Sequence, residues 1–117
     1  MIQTGVDIVS VDRIRRAVSR FGLDFARRIL TPGEMSVYDG RSDKDPFLAS
    51  RFAAKEAVYK AAGIPDLTWQ RVMVTSENRQ PVVWIDGQRR ADMSLSISHE
   101  KDYAIAMVVR FDIYDKP

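Results

Sequence analysis

The stretch DPFLASRFAAKEAVYKAAG, residues 45–63, constrains the fold more than any other part of this 117-residue chain. It reads as one helix. Asp45 is placed to cap it, Pro46 fits the first helical position, where its missing N–H is no loss, and Gly63 suits the left-handed residue that ends a helix. A helix that packs on one side carries a polar face opposite its apolar stripe. Here Leu48, Phe52 and Tyr59 share one side, Phe47, Ala54 and Val58 a second, and Ala49, Ala53, Glu56 and Lys60 a third. Apolar surface on most sides requires neighbours on most sides, so this helix belongs in the middle of the fold. It nevertheless carries Arg51, Lys55, Glu56 and Lys60, and a charge at the centre of a fold needs a partner or an outlet to water.

Elements that could surround it are legible on both sides. Residues 2–9, IQTGVDIV, alternate, with Ile2, Thr4, Val6 and Ile8 on one face and Gly5 and Asp7 on the other, which predicts a strand with a buried face. Residues 11–21 switch to helical spacing: Ile14, Val18 and Phe21 share a face that Phe25 continues, while Arg13, Arg16 and Arg20 form a separate stripe. Core packing is the expectation for Phe21 and Phe25. Thr31-Pro32-Gly33-Glu34 predicts another helix, with Thr31 and Glu34 forming a capping box and Gly40 at its end.

The second half predicts strands over 71–76, 82–86, 94–98 and 103–112, the last two joined by HEKD as an antiparallel hairpin. The fold class expected is α+β: an antiparallel sheet packed against a long central helix and shorter helices, as a single domain over 1–117.

With no cysteine and one histidine, His99, thiol chemistry, disulfides and multi-histidine zinc sites are excluded. No apolar run approaches the roughly 20 residues that span a bilayer, and Asp7 interrupts any signal-peptide core. A cytoplasmic protein without a membrane is expected. Net charge is only +2, yet residues 13–28 hold six arginines against Asp24 alone. A local patch of this kind suits an acidic protein partner better than a nucleic acid.

Glu56 and Lys60 are four residues apart, so their heads can meet on one helix face. On its own that is a surface ion pair worth about 0.3–0.5 kcal/mol. Asp7 changes the reading. It sits mid-strand among Val6, Ile8 and Val9, where aspartate is disfavoured, and it shares its face with Gly5, a residue that marks close backbone approach. A half-buried carboxylate needs a partner, either an arginine or a hard cation held jointly with Glu56. Mg²⁺ takes one or two carboxylates together with waters and phosphate oxygens.

GVDIV at 5–9, FARRILTPGE at 25–34, FLASRFAAKEAVYKAAG at 47–63, NRQP at 78–81 and SLSISHEKDYAIAMVV at 94–109 together resemble holo-acyl-carrier-protein synthase, the small bacterial type of 4′-phosphopantetheinyl transferase. The resemblance covers nearly the whole chain in order and spacing. It implies the 4′-phosphopantetheinyl transferase fold and transfer of 4′-phosphopantetheine from coenzyme A to a serine of an apo acyl carrier protein, with Mg²⁺ as cofactor and adenosine 3′,5′-bisphosphate released. By the same resemblance Asp7 and Glu56 are metal ligands, and Glu56 and Lys60 are catalytic, Glu56 taking the serine proton directly or through a metal-bound water. Arg51, Lys60 and His99 bind the cofactor phosphates. Arg13 and Arg28, with Arg16 and Arg20 beside them, bind the carrier protein, and Met35 adds apolar contact. The family forms homotrimers with the cofactor between neighbouring subunits. Ala53, Ala57 and Gly63 would let the diphosphate approach the helix. Ser94, Ser96 and Ser98 could bind phosphate or face water, and Ala104 and Ala106 could seat a subunit contact or pack the helix.

Two segments depart from the family pattern. IPDLTWQR at 64–71 is shorter than the usual glycine-rich loop, which puts the adenosine-end contacts in question, and Asn78-Arg79-Gln80-Pro81 replaces the commoner NGKP turn. A competing reading is a non-catalytic basic module that binds an acidic protein or nucleic acid through Arg13–Arg28. It leaves Asp7 and Glu56 unexplained, because carboxylates without a metal repel phosphate.

Overall fold

A computed structural model describes residues 1–112. The chain runs through β1 (Ile2–Ser10), α1 (Val11–Phe21), α2 (Leu23–Ile29), α3 (Pro32–Asp39), α4 (Lys44–Ala62), a 3-10 turn (Trp69–Arg71), β2 (Val72–Glu77), β3 (Gln80–Ile85), β4 (Gln88–Arg89), β5 (Met93–His99) and β6 (Tyr103–Phe111). The strands form two antiparallel three-stranded sheets, ordered β1-β6-β5 and β2-β3-β4. The expected α+β architecture holds, with the strands divided between two sheets.

Helix α4 is the hub. Eleven of its nineteen residues are buried, among them Leu48, Ala49, Ala53, Ala54, Ala57 and Val58 at 0% exposure. It packs on β1 and β6, where Ala104, Ala106 and Val108 turn inward to meet it. Small residues on both surfaces let helix and sheet approach closely, and Gly5 of β1 is the extreme case. A Cβ there would lie 2.1 Å from the Ala57 carbonyl oxygen and 3.0 Å from the Lys60 Cβ. Gly5 therefore marks the approach of the helix itself, and Ala53 and Ala57 lie under the sheet instead of leaving room for a ligand. The Ala104–Ala106 stripe packs the helix.

Alternation predicts two unlike faces for β1, and the fold decides which one is buried: Val9 and Gly5 face the helix, while Ile2, Val6 and Ile8 are 67%, 53% and 61% exposed. The helix selects the face with the smaller residues. On the outer face Ile2, Val6 and Ile8 pair with Phe111, Met107 and Ile105 of β6, all exposed. Ser94, Ser96 and Ser98 of β5 extend the same outer face opposite Val109, Met107 and Ile105.

Gly22, at φ 69°, ends α1 and starts α2 as a separate helix. Ile14 is buried and Phe25 packs on the core, but Phe21 is 57% exposed beneath the Arg20 guanidinium, which corrects its core assignment. Asp43, not Asp45, is the N-cap of α4, and its carboxylate is bound by Arg41 at 2.6 and 2.7 Å instead of capping. The capping box at Thr31 and Glu34 forms as expected, and Gly63 ends α4 in the left-handed region.

Lys55 is the buried charge inside the hub, at 2% exposure. Its Nζ donates to Glu34 Oε1 at 2.6 Å, to the Ile29 carbonyl at 2.7 Å and to the Trp69 carbonyl at 3.1 Å. Glu34 also accepts from the Thr31 N–H at Oε1 and the Val74 N–H at Oε2, both at 2.8 Å. One ion pair thus ties α2, α3, α4, the 3-10 turn and β2. Burial pushes the Lys55 ammonium down, and Glu34 opposes that shift.

Candidate active site

The crossing of α4 behind β1 assembles the first group of expected site residues. Lys60 Nζ donates to the Val6 carbonyl at 2.8 Å and lies 3.5 Å from Asp7 Oδ1. The close fit at Gly5 sets that distance, because it lets the strand lie against the last turns of α4. Glu56 stands one turn earlier on the same helix. Its carboxyl is pushed above the usual carboxylate range, first by burial and then by the Asp7 charge, while Lys60 opposes the shift. Asp7, Glu56 and Lys60 therefore share one electrostatic environment in which two carboxylates face one ammonium.

Such a pair is short of positive charge. It fits a hard divalent cation, which needs one or two carboxylates and completes its shell with water and phosphate oxygens. Glu56 also walls a cleft of about 320 Å³ lined by Tyr59, Leu67, Thr68, Trp69 and Val72, with the Trp69 ring packed on Phe52 at 5.0 Å.

Arg51 and His99 lie elsewhere. They line a second pocket of about 210 Å³ with Arg41, Asp43, Phe47, Ser50, Thr75, Ser76 and Arg79, which shares no residue with the Glu56 cleft. The Arg51 guanidinium sits 4.5 Å above the Phe47 ring, and its Nε is buried without a hydrogen-bond partner. Burial pushes Arg51 down, Glu34 opposes this, and the nearby Arg41 adds to it. A buried cation with a vacant donor, beside further cations and hydroxyls, is suited to an oxyanion. Ser94, Ser96 and Ser98 take no part, because they face the opposite side of the sheet from this pocket.

Sequence reasoning missed Arg41 and Arg79 here. Nothing in the chain order signals that a loop and a hairpin turn converge on α4. It read Arg79 only as a missing glycine. In the fold, Asn78 and Arg79 have φ of 51° and 67° and form the two-residue turn joining β2 and β3, so the hairpin geometry persists with an arginine in it.

The arginine stripe is exposed along α1, as its spacing predicts. Asp12, just outside the basic segment, pairs with Arg15 at 2.9 Å and Arg16 at 3.1 Å. Among the described residues Arg13, Arg20 and Arg28 have no acidic partner within ion-pair distance. Arg28 and Arg27 border an open groove of about 670 Å³ floored by Leu23, Leu30, Pro32 and Met35, so Met35 does supply apolar surface next to the arginines.

The sequence matches the family model described as the 4′-phosphopantetheinyl transferase superfamily over residues 3–108. It is 41% identical to a holo-[acyl-carrier-protein] synthase of Dehalococcoides mccartyi, covering 96% of this chain and 100% of that one. Its fold is similar to a crystal structure of the synthase from Neisseria meningitidis, with a TM-score of 0.86 and 34% identity over 96% of this chain and 100% of the other. A Bacillus anthracis holo-(acyl-carrier-protein) synthase in complex with CoA (3′,5′-ADP) is similar at a TM-score of 0.80 and 34% identity, covering 92% of this chain and 94% of that one.

Proposed function

The chain belongs to the holo-[acyl-carrier-protein] synthases of the 4′-phosphopantetheinyl transferase superfamily, and we propose that it moves 4′-phosphopantetheine from coenzyme A to a serine hydroxyl of an apo acyl carrier protein. The observation that carries this reading is the convergence of Asp7 with Glu56 and Lys60 where β1 crosses α4. A serine oxygen attacks the pantetheine-side phosphorus, the bond to the bridging oxygen breaks, and adenosine 3′,5′-bisphosphate leaves.

Glu56, its carboxyl raised by burial and by Asp7, is the group to accept the serine proton, directly or through a metal-bound water. Lys60, anchored by the Val6 carbonyl, stabilises the negative charge on the departing phosphate. Asp7 and Glu56 would hold Mg²⁺, which when bound neutralises charge on the diphosphate.

Coenzyme A carries two separate anions, the reacting diphosphate and a monophosphate on the ribose. The diphosphate belongs with Asp7, Glu56 and Lys60, which leaves the ribose phosphate for Arg51 and His99. Following the resemblance, in which the cofactor lies between neighbouring subunits, the Arg51 pocket of one copy is proposed to serve the Glu56 centre of the next in a homotrimer. The outer face of Ile2, Val6, Ile8, Ile105, Met107 and Phe111 is the apolar surface such an assembly would cover. Arg13, Arg20 and Arg28, with Arg16 alongside, steer and orient the acidic carrier. No helix among the described residues is long and apolar enough to cross a membrane, and the enzyme is proposed to act in the cytoplasm.

The test is mass spectrometry of an apo carrier protein incubated with this chain, coenzyme A and Mg²⁺. The expected result is the mass of one phosphopantetheine added at serine, lost when Mg²⁺ is chelated. An unmodified carrier overturns the reading.

A further inference from the structure

Two hairpins of one sheet allow a controlled comparison. The β3–β4 turn is Asp86-Gly87, with φ of 53° and 78°, so its second left-handed position is a glycine, which occupies that region without a steric penalty. The β2–β3 turn has the same length and also two positive-φ positions, at 51° and 67°, but places Arg79 at the second of them. A side chain there is strained, and strain of this kind persists at ligand sites. Arg79 lines the pocket of Arg51 and His99.

The charges around it leave Arg79 available. The nearest acid in its own hairpin, Glu77, is paired with Arg89 at 2.8 Å. The acid in the pocket, Asp43, accepts both bonds of Arg41. Arg79 therefore has no acidic partner among the described residues, and neither does Arg51, whose Nε lacks any partner. Two unneutralised guanidiniums face a space of about 210 Å³, a size that admits a phosphate monoester head group.

Resting on the transferase reading above, we propose that Arg79 is a substrate-specificity residue. It binds the ribose 3′-phosphate of coenzyme A alongside Arg51 and makes this enzyme discriminate coenzyme A from 3′-dephospho-coenzyme A more strongly than a glycine in the same turn would. Arg79 takes no part in the transfer step. It acts on substrate choice by adding a charge-assisted contact that the dephosphorylated analogue cannot make.

The experiment measures kcat/KM of the full chain for coenzyme A and for 3′-dephospho-coenzyme A, with apo carrier protein and Mg²⁺, in the wild type, Arg79→Gly and Arg79→Lys. The ratio of the two values should fall about tenfold in Arg79→Gly, as expected for loss of one charge-assisted hydrogen bond, and partly recover in Arg79→Lys. The midpoint of thermal unfolding should stay level or rise in Arg79→Gly, because glycine relieves the turn. A merely structural Arg79 would move stability and leave the ratio alone.

An unchanged ratio, or equal losses on both substrates, overturns the proposal while leaving the transferase reading standing. If the wild type transfers nothing, that reading fails instead. Calorimetry with adenosine 3′,5′-bisphosphate and 5′-AMP then decides this one. Preference for the bisphosphate that drops about tenfold in Arg79→Gly supports it, and no preference overturns it.

Discussion

Helix α4 carries two lysine–carboxylate sites within little more than one turn of each other. At the first, Lys55 is 2% exposed and donates to a carboxylate and two carbonyls, while Glu34 accepts from Lys55 and two backbone N–H groups. At the second, Lys60 is half-exposed, reaches one carbonyl and stands 3.5 Å from Asp7, and the adjacent Glu56 is left with its carboxyl raised by burial and by a like charge. The chemical groups are the same. One site is closed, with charge and hydrogen bonds balanced, and it joins five elements. The other holds excess negative charge at the edge of a cleft. Full satisfaction identifies a structural pair; an imbalance held in place by rigid packing identifies a place where something else must bind.

The sharpest way to break this comparison is to remove Lys55. Lys55→Met leaves Glu34 buried without its cation and should lower stability by about 3–5 kcal/mol. Lys60→Met should leave chemical denaturation nearly unchanged. Equal losses of stability in the two variants would erase the distinction between the sites.

Glu56→Gln should do the opposite to Lys55→Met. Transfer should fall by about 10²–10⁴-fold, with the circular dichroism spectrum retained and the unfolding midpoint not lowered. Activity close to wild type would remove Glu56 from the chemistry.

Gly5→Ala probes the scaffold that both sites share. The added methyl would sit 2.1 Å from the Ala57 carbonyl and must push β1 from α4. Overpacking of this kind is expected to lower stability by about 1–3 kcal/mol, and transfer should drop further than that loss of folded protein explains, because Asp7 moves from Glu56 and Lys60. An activity loss that merely tracks the unfolded fraction would mean that the spacing is not critical.

The smallest effect concerns pH. Because the Glu56 carboxyl is raised on folding, the folded chain keeps that proton to higher pH than the unfolded chain. Its contribution to stability is fully present below the ordinary carboxylate range and is lost as pH rises through the raised value. Without added divalent ions, Glu56→Gln should therefore unfold at a slightly higher temperature than wild type at neutral pH, and this advantage should vanish at low pH. The same midpoint difference at both pH values would contradict the assigned electrostatics.

Much of this was legible from local pattern. The central helix announces itself by having no polar face, and the strands and hairpins of the second half by alternation and turn residues. The triad of Asp7, Glu56 and Lys60 was readable because a carboxylate in mid-strand and an acid–base pair on a core helix each violate a local preference, and the resemblance explains both at once. What escaped depends on partners far away in the chain. Alternation gives β1 one face of Ile2, Val6 and Ile8 and another of Gly5 and Asp7, and only the packing of α4 on Gly5 decides which turns inward. Glu34 was legible as a capping residue, yet its second role needs Lys55, 21 residues later. The separation of Arg51 from Glu56 is equally invisible in a helix where they stand five residues apart.

A double-substitution cycle on Asp7 and Glu56, followed by transfer to the carrier protein, tests the central claim most directly. If the two carboxylates act as one unit on one ion, Asp7→Asn and Glu56→Gln each cost at least about 10²-fold and the double variant is no worse than the weaker single one. Losses that multiply, or a single variant with wild-type activity, would show that the two groups serve separate ends.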